Sequence, residues 1–297
     1  AQDARKNADP RAVARGRQGG VKQMFPERAI RVLTRDHGAD VERLNNRLST
    51  RGTSTLVDIP PHTYVGRVQT RQRNVPCVLL LGINPMYSER PEHQAVNVHL
   101  PRRCLSAFNS TGDVNQLFDL FDFQEGYFLR EERNKRHFGK FGHWFGRTWF
   151  QDTYGTGGQD GAQRVLDQHV IEMDVVQYFS KTASIDGDEL LHAVHDDPAL
   201  QDHWKLIEDV LQRVNPEWVH VHGKTCWPVM NALLMNNEGR LERPSNSSKT
   251  DIMVGTGRVG TWTGPVLMHK FLGMSGPQKN EDKALIAEHW NTVRSIL

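Results

Sequence analysis

Hydrophobic and polar positions alternate in blocks that read as strands and helices of an α/β protein. Val75–Ile83 (VPCVLLLGI) is a continuous apolar run closed by Asn84-Pro85, the pattern of a strand buried on both faces. Val170–Phe179, Glu217–His222 and Pro265–His269 have the same character. Between them, Trp204–Val214 places Leu206, Ile207, Val210, Leu211 and Val214 on one helical face, and Asn215-Pro216 stops it. Thr225–Asn236 predicts a further helix with Pro228 in its first turn. Asn280 is placed as the cap of a last helix that carries Glu281 and Asp282 where the helix dipole favours acids. Strands alternating with helices predict a three-layer α/β fold: a central, mostly parallel four-stranded sheet with helices on both faces, plus an N-terminal helical extension. Ligands of such sheets bind where loops leave the C-terminal strand ends.

Two regions depart from this alternation. Residues 27–49 have patchy helical periodicity, and Gly38 is expected to split them into two short helices. Residues 86–160, rich in aromatic and charged side chains, read as a partly helical insertion after the first strand. The resulting division is a basic extension or helical subdomain at 1–74 and an α/β domain at 75–297. The GTGG at 155–158 follows no strand and lacks a lysine, so it is not read as a phosphate loop.

Composition narrows the class. The chain has 297 residues, 37% of them hydrophobic and 24% charged, enough for a sizeable core. Its net charge of +2 hides an asymmetry, about +8 over residues 1–76 and −6 over the rest. Such an arm is either a solvated extension or a phosphate-binding surface, and DNA is the expected partner. No apolar run is long enough for a membrane span, which takes about 20 residues, and no signal-like segment opens the sequence, so a cytoplasmic protein is expected. Three cysteines without a C-x-x-C pair exclude a disulfide framework and a four-cysteine metal site. His192 with His195, and His220 with His222, have ligand-like spacing but no third partner, so neither a metal nor a cofactor is expected.

The candidate chemistry sits at strand ends. Gly82-Ile83-Asn84-Pro85 closes the first strand, and His269 closes the last, before a loop with Gly273, Ser275, Gly276 and Pro277. Together with Asp174-Val175-Val176 on the second strand, these segments resemble the three signature regions of the uracil-DNA glycosylase superfamily, over roughly residues 75–297. The resemblance implies that Asn84 positions the attacking water and that His269 hydrogen-bonds the base O2 as charge develops there. It places Gly82, Ile83, Pro85, Met86, Tyr87 and Asp174 around the base but does not place the stacking aromatic, for which Tyr87 and Phe108 are candidates with a core position as the alternative for either. Ser275 and Gly276 would contact phosphate, Leu272 or Met274 would be the wedge, and Lys224, Lys270 and Lys279 would supply positive charge.

The sequence departs from that pattern in two places. The last motif is longer, His269-Lys270-Phe271-Leu272-Gly273-Met274-Ser275, and Asp174 stands where the family often has an Asn that reads uracil. A carboxylate facing uracil O4 would oppose two acceptors. Facing cytosine, it accepts from the 4-amino group and, when protonated, donates to N3. The expectation is therefore a monomeric, monofunctional DNA glycosylase that removes a flipped modified cytosine in preference to uracil, suited to defence against phage DNA. A non-catalytic DNA-binding module on the same fold and a nucleoside or nucleotide enzyme are the alternatives.

Overall fold

A computed structural model describes residues 27–48, 55–72, 74–182, 185–244, 250–273, 276–277 and 279–297. Among these residues the sheet has six strands, not the four expected. They are β1 (Val78–Gly82), β2 (Val170–Asp174), β3 (Trp218–His222), β4 (Arg240–Glu242), β5 (Ile252–Val259) and β6 (Trp262–His269), in the spatial order β2-β1-β3-β6-β5-β4. The four anticipated strands form the parallel half, whereas β5 and β4 add antiparallel to the edge beyond β6. The extra hairpin turns at Gly260, whose φ of 55° suits a residue without a Cβ, and it pairs Val259 with Trp262. Gly255 and Gly257 dilute the alternation of β5, which kept it from reading as a strand.

The two sheet faces bury different sets of side chains. Leu79, Leu81, Ile171, Met173, Val219, Val221, Val266 and Met268 point into one core. It is closed by α9 (Gly187–Asp196), α10 (Pro198–Val214) and α11 (Trp227–Leu233). α10 begins earlier than its apolar stripe, because the Asp197 carboxylate accepts from the amides of Ala199 and Leu200 at 2.9 and 3.3 Å. The opposite face is covered by α6 (Lys135–Thr148), α8 (Gly158–His169) and α12 (Asn280–Arg294). The cap of α12 is Lys279, one residue before the position expected, and Asn280 is the first residue of the helix.

The insertion after β1 is almost wholly helical. Pro91–Gln94 (α3) runs through one π-helical turn, Ala95–His99, into Leu100–Thr111 (α4), followed by Phe118–Glu125 (α5), α6 and Gln151–Tyr154 (α7). Its decisive member is α6, which lays Phe138, Phe141, Trp144 and Phe145 on the sheet. α6 lies close against α8 because Gly142 has no side chain; a Cβ there would come within 2.5 Å of the Ala162 carbonyl oxygen.

The described part of the N-terminal extension is not a separate body. α1 (Glu27–Leu33) and α2 (His37–Leu48) bury Ala29, Val32, Leu33, Val41, Leu44 and Leu48 in the same core as α10, and Val65 bridges to Glu172 of β2. Its arginines are also spoken for. Arg28, Arg31, Arg35, Arg43, Arg47 and Arg67 all pair with carboxylates, and Arg71 donates to the Val214 carbonyl. Among the described residues the arginines of the arm are thus engaged within the molecule, and residues 1–26, 49–54 and 73, with its other basic side chains, lie outside the described part.

Candidate active site at the parallel strand ends

Two consecutive rungs of the parallel sheet carry the polar chemistry. The last rung runs Asp174, Gly82, His222, His269 across β2, β1, β3 and β6. Two residues below, on the same face, the rung runs Glu172, Leu80, His220, Leu267. All five titratable side chains are buried, the three histidines against the aromatic side chains of α6. Gly82 leaves the gap in the row. A Cβ built on it would sit 2.4 Å from the Asp174 Oδ1 and 3.1 Å from the His222 Nε2, so the carboxyl and the imidazole converge over the glycine backbone.

The electrostatics of the two groups are complementary. Burial raises the Asp174 carboxyl to about 7 and drives the Glu172 carboxyl well above the usual range, with the Asp174 charge adding to the rise. The two carboxyls share a hydrogen bond that favours the proton on Glu172 and eases the rise of Asp174, so the pair gives up its protons at higher pH than exposed carboxylates do. Burial, together with His137 and His269, pushes the His222 imidazole far down, so it is neutral. Neither ring nitrogen of His222 has a hydrogen-bond partner among the described residues. An unpaired imidazole that is only 5% exposed carries a desolvation cost that a ligand acceptor would relieve.

His269 is differently employed. It is fully buried, its Nδ1 lies 2.6 Å from the Lys270 carbonyl oxygen, and its Nε2 lies 2.8 Å from the His220 Nε2. A carbonyl only accepts, so Nδ1 bears the hydrogen; Nε2 must then accept, and His220 donates to it. Trp144 packs edge-on against both rings at 5.3 Å. The electrophile role expected of His269 is therefore corrected: it has no nitrogen left for a ligand, and the strand-end histidine with both ring nitrogens unpaired is His222.

Asn84 lies two residues beyond Gly82, in the turn that the Asn-Pro pair imposes. Its amide nitrogen faces the Ser180 hydroxyl and the Pro85 carbonyl, the latter at 3.3 Å. The carbonyl can only accept, which fixes the NH2 toward it and leaves Oδ1 pointing elsewhere as an acceptor. The loop leans toward β2, where the Ser180 amide donates to the Pro85 oxygen and the Tyr87 amide donates to the Ser180 oxygen. β3 stands between the strands of Asn84 and His269, which puts their ends about 10 Å apart, two interstrand spacings. These two strand ends are not neighbours; Asp174 and His222 are the pair that meets over Gly82, with Asn84 in the turn just beyond it.

The other expected site residues scatter. Ile83 and Pro85 are half-buried in the turn, and Met86 is exposed beside its bridge to Ser180. Tyr87 packs beside Ile59, Val98 and Phe179, with the Lys181 ammonium 5.9 Å from its ring, and Phe108 packs against the core under α4. Leu272 is 3% exposed and belongs to the core under α6 and α12, so it cannot be a wedge. Met274 and Ser275 lie outside the described residues. Gly276 is half-buried and returns the loop to Phe271, whose carbonyl oxygen would be 1.9 Å from an added Cβ. Lys270 is half-buried next to the site, whereas Lys224 is exposed after β3 and Lys279 is exposed at the far end of the β6–α12 connection.

Four participants were not anticipated. Glu172 is visible in hindsight as a carboxylate inside the apolar run VIEMD, two positions from Asp174. His137, Phe141 and Phe271 form the roof, with ring centroids 5.3, 5.0 and 5.5 Å from that of His222. Phe271 stacks on His137 and is 46% exposed, so it is the apolar side chain at the rim. No group of three or more possible metal ligands exists among the described residues. No helix in the described part is long and apolar enough to cross a membrane.

The fold and site define an α/β protein with a buried carboxyl–imidazole pair at the C-terminal edge of a parallel sheet. No protein-family model matches the chain, and a search of curated proteins returned no match to it.

Proposed function

We propose that the chain is a DNA glycosylase that hydrolyses the N-glycosidic bond of a flipped pyrimidine, with a 5-substituted cytosine favoured over uracil. The supporting observation is the convergence of Asp174 and the unpartnered His222 over the bare backbone of Gly82. The Watson–Crick edge of cytosine offers an acceptor at O2, an acceptor at N3 and a donor at the 4-amino group. A neutral His222 donates one N–H to O2. A protonated Asp174 donates to N3 and accepts from the amino group through its second oxygen. The same carboxyl can face uracil with its oxygens exchanged, accepting from N3–H and donating to O4. The preference for cytosine therefore rests on N3, which can take the carboxyl proton as the base leaves, whereas uracil N3 already carries one.

The chemistry follows from those contacts. As the C1′–N1 bond breaks, the sugar becomes oxocarbenium-like and negative charge builds on O2 and N3. His222 stabilises that charge, and the Asp174 proton passes to N3, so the base departs neutral. A water held by the Asn84 carbonyl oxygen adds to C1′, and its proton restores the Asp174 carboxyl. The products are the free base and an abasic sugar. An amide takes up no proton itself, so departure of the base runs ahead of water attack. Flipping costs a few kcal/mol, and Phe271 at the rim is placed to fill the space the base leaves.

The test is incubation with oligonucleotides carrying cytosine, uracil or cytosine with a bulky 5-substituent, scoring alkali-labile sites. Release of the modified cytosine should exceed that of uracil. His222→Gln and Asn84→Ala should each lose release by about 100-fold or more while retaining DNA binding. Release unaffected by His222→Gln, or no release from any of the three, would overturn the reading.

A further inference from the structure

α6 presents two chemically opposite faces. One carries the aromatic side chains that roof the site. The other carries Arg136, Lys140, His143 and Arg147, spaced four, three and four residues apart, which places them in one stripe along the helix. Lys283 of α12 joins that stripe, and the Trp149 indole N–H to the Asn291 side-chain oxygen, at 2.7 Å, ties the two helices together. Arg136, Lys140 and Arg147 are exposed, and Lys283 is half-buried.

Elsewhere among the described residues a number of basic side chains are matched by acids, as with Arg43 and Asp197 or Arg67 and Asp167. Among the described residues of α6, only Lys135 has a carboxylate partner, Glu131. The charges that act most on Lys283 are Lys140 and Arg147; after burial, their repulsion holds its ammonium below the usual range. Burial lowers His143 as well, and the charges of Arg147 and Lys283 add to the fall. Cations packed together without a counter-charge cost folding free energy, and an external anion would relieve that cost. The stripe also adjoins the site: Lys140 donates to the Leu272 carbonyl at 3.1 Å, next to Phe271 at the rim. Glu281 and Asp282 lie in the first turn of α12 and bound the stripe at that end.

We infer that Lys140, Arg147 and Lys283 form a track for the phosphodiester backbone of the nucleic-acid strand whose base enters beneath α6. The inference rests on the DNA reading above but concerns where the strand runs, not what is done to its base. It places the DNA over α6 and α12 instead of over the arginines of α1 and α2, which are internally paired.

The experiment is the salt dependence of binding to a short unmodified duplex and to its single strand, read by fluorescence anisotropy. Each phosphate contact contributes about 0.9 to the slope of log K against log salt on duplex DNA and about 0.7 on a single strand. The triple variant K140Q/R147Q/K283Q should therefore show a slope shallower by about 2 to 3 on the duplex. The control K205Q/R213Q removes exposed charge from α10, on the opposite face of the sheet, and should leave the slope unchanged. Equal loss per charge in both variants, no loss in the triple variant, or absence of DNA binding would overturn the inference. Base release is scored on the same samples. Release with an unchanged slope would sink the track and spare the glycosylase. A reduced slope without release from any substrate would do the reverse. Binding to anionic lipid vesicles with none to DNA would reject the track in favour of a membrane surface.

Discussion

At the level of single side chains, the site is governed by what burial does to protons. An aspartate in an unfolded chain ionises near pH 3.9. In the folded protein Asp174 keeps its proton to about 7. The folded state therefore binds a proton that the unfolded state has lost, and the stability held in that proton declines as pH rises from about 4 through 7. The buried histidines, pushed down by burial, have the opposite sign, and their effect ends near pH 6.5, where the unfolded imidazole becomes neutral too. Between pH 6.5 and 8 the histidines no longer contribute, and the Asp174–Glu172 pair is what distinguishes wild type from Asp174→Asn. Urea unfolding should show the wild type losing about 1 kcal/mol more than the variant over that interval. On the proposed chemistry, in which the Asp174 proton passes to the base, release by the wild type should fall over the same range. An identical pH response in the two proteins would show that Asp174 is ionised in the folded state.

At the level of elements, the β6–α12 connection assigns different work to neighbouring residues. Leu272 fills the core under α6 and α12, whereas Phe271 projects to the rim beside His137 and His222. Leu272→Ala should cost about 2–4 kcal/mol of stability, measured by chemical denaturation. Phe271→Ala should cost under about 1 kcal/mol while lowering base release from duplex more than from single-stranded substrate. The same comparison marks what could be read from the amino-acid order. The parallel strands announced themselves because VPCVLLLGI and EWVHVH are apolar runs closed by turns, and Gly82, Asn84 and Asp174 follow as strand-end positions. His222 against His269 could not be resolved that way. Both end strands in the same register, and the choice depends on a hydrogen bond from His220 and a carbonyl one residue on, contacts that need the fold. The α6 roof was hidden for a related reason: its aromatic spacing proves a buried face but does not say which sheet face receives it.

At the level of the whole molecule, the N-terminal helices are held to the α/β body by a buried charge network, and this makes the chain one folding unit over the described residues. Asp40 is 3% exposed and takes bonds from Arg35 at 2.6 Å, Arg43 at 2.7 Å and the Tyr178 hydroxyl at 2.9 Å. Burial alone would raise its carboxyl, but these donors outweigh it and hold it at about 2. Arg35 extends the network to Asp202 on α10, and Arg43 extends it to Asp197, the cap of the same helix. Removing one member of such a set leaves the others buried without a counter-charge. Asp40→Ala should cost about 2–4 kcal/mol, toward the lower end because Arg43 is partly solvated. The loss should appear as one cooperative transition at lower urea, followed identically by tryptophan fluorescence and far-ultraviolet dichroism. Two separate transitions would mean that residues 27–72 melt independently of the sheet. A single one means that the helices bearing the arginine pairs are part of the scaffold that fixes β2, and with it the position of Asp174 beside Gly82.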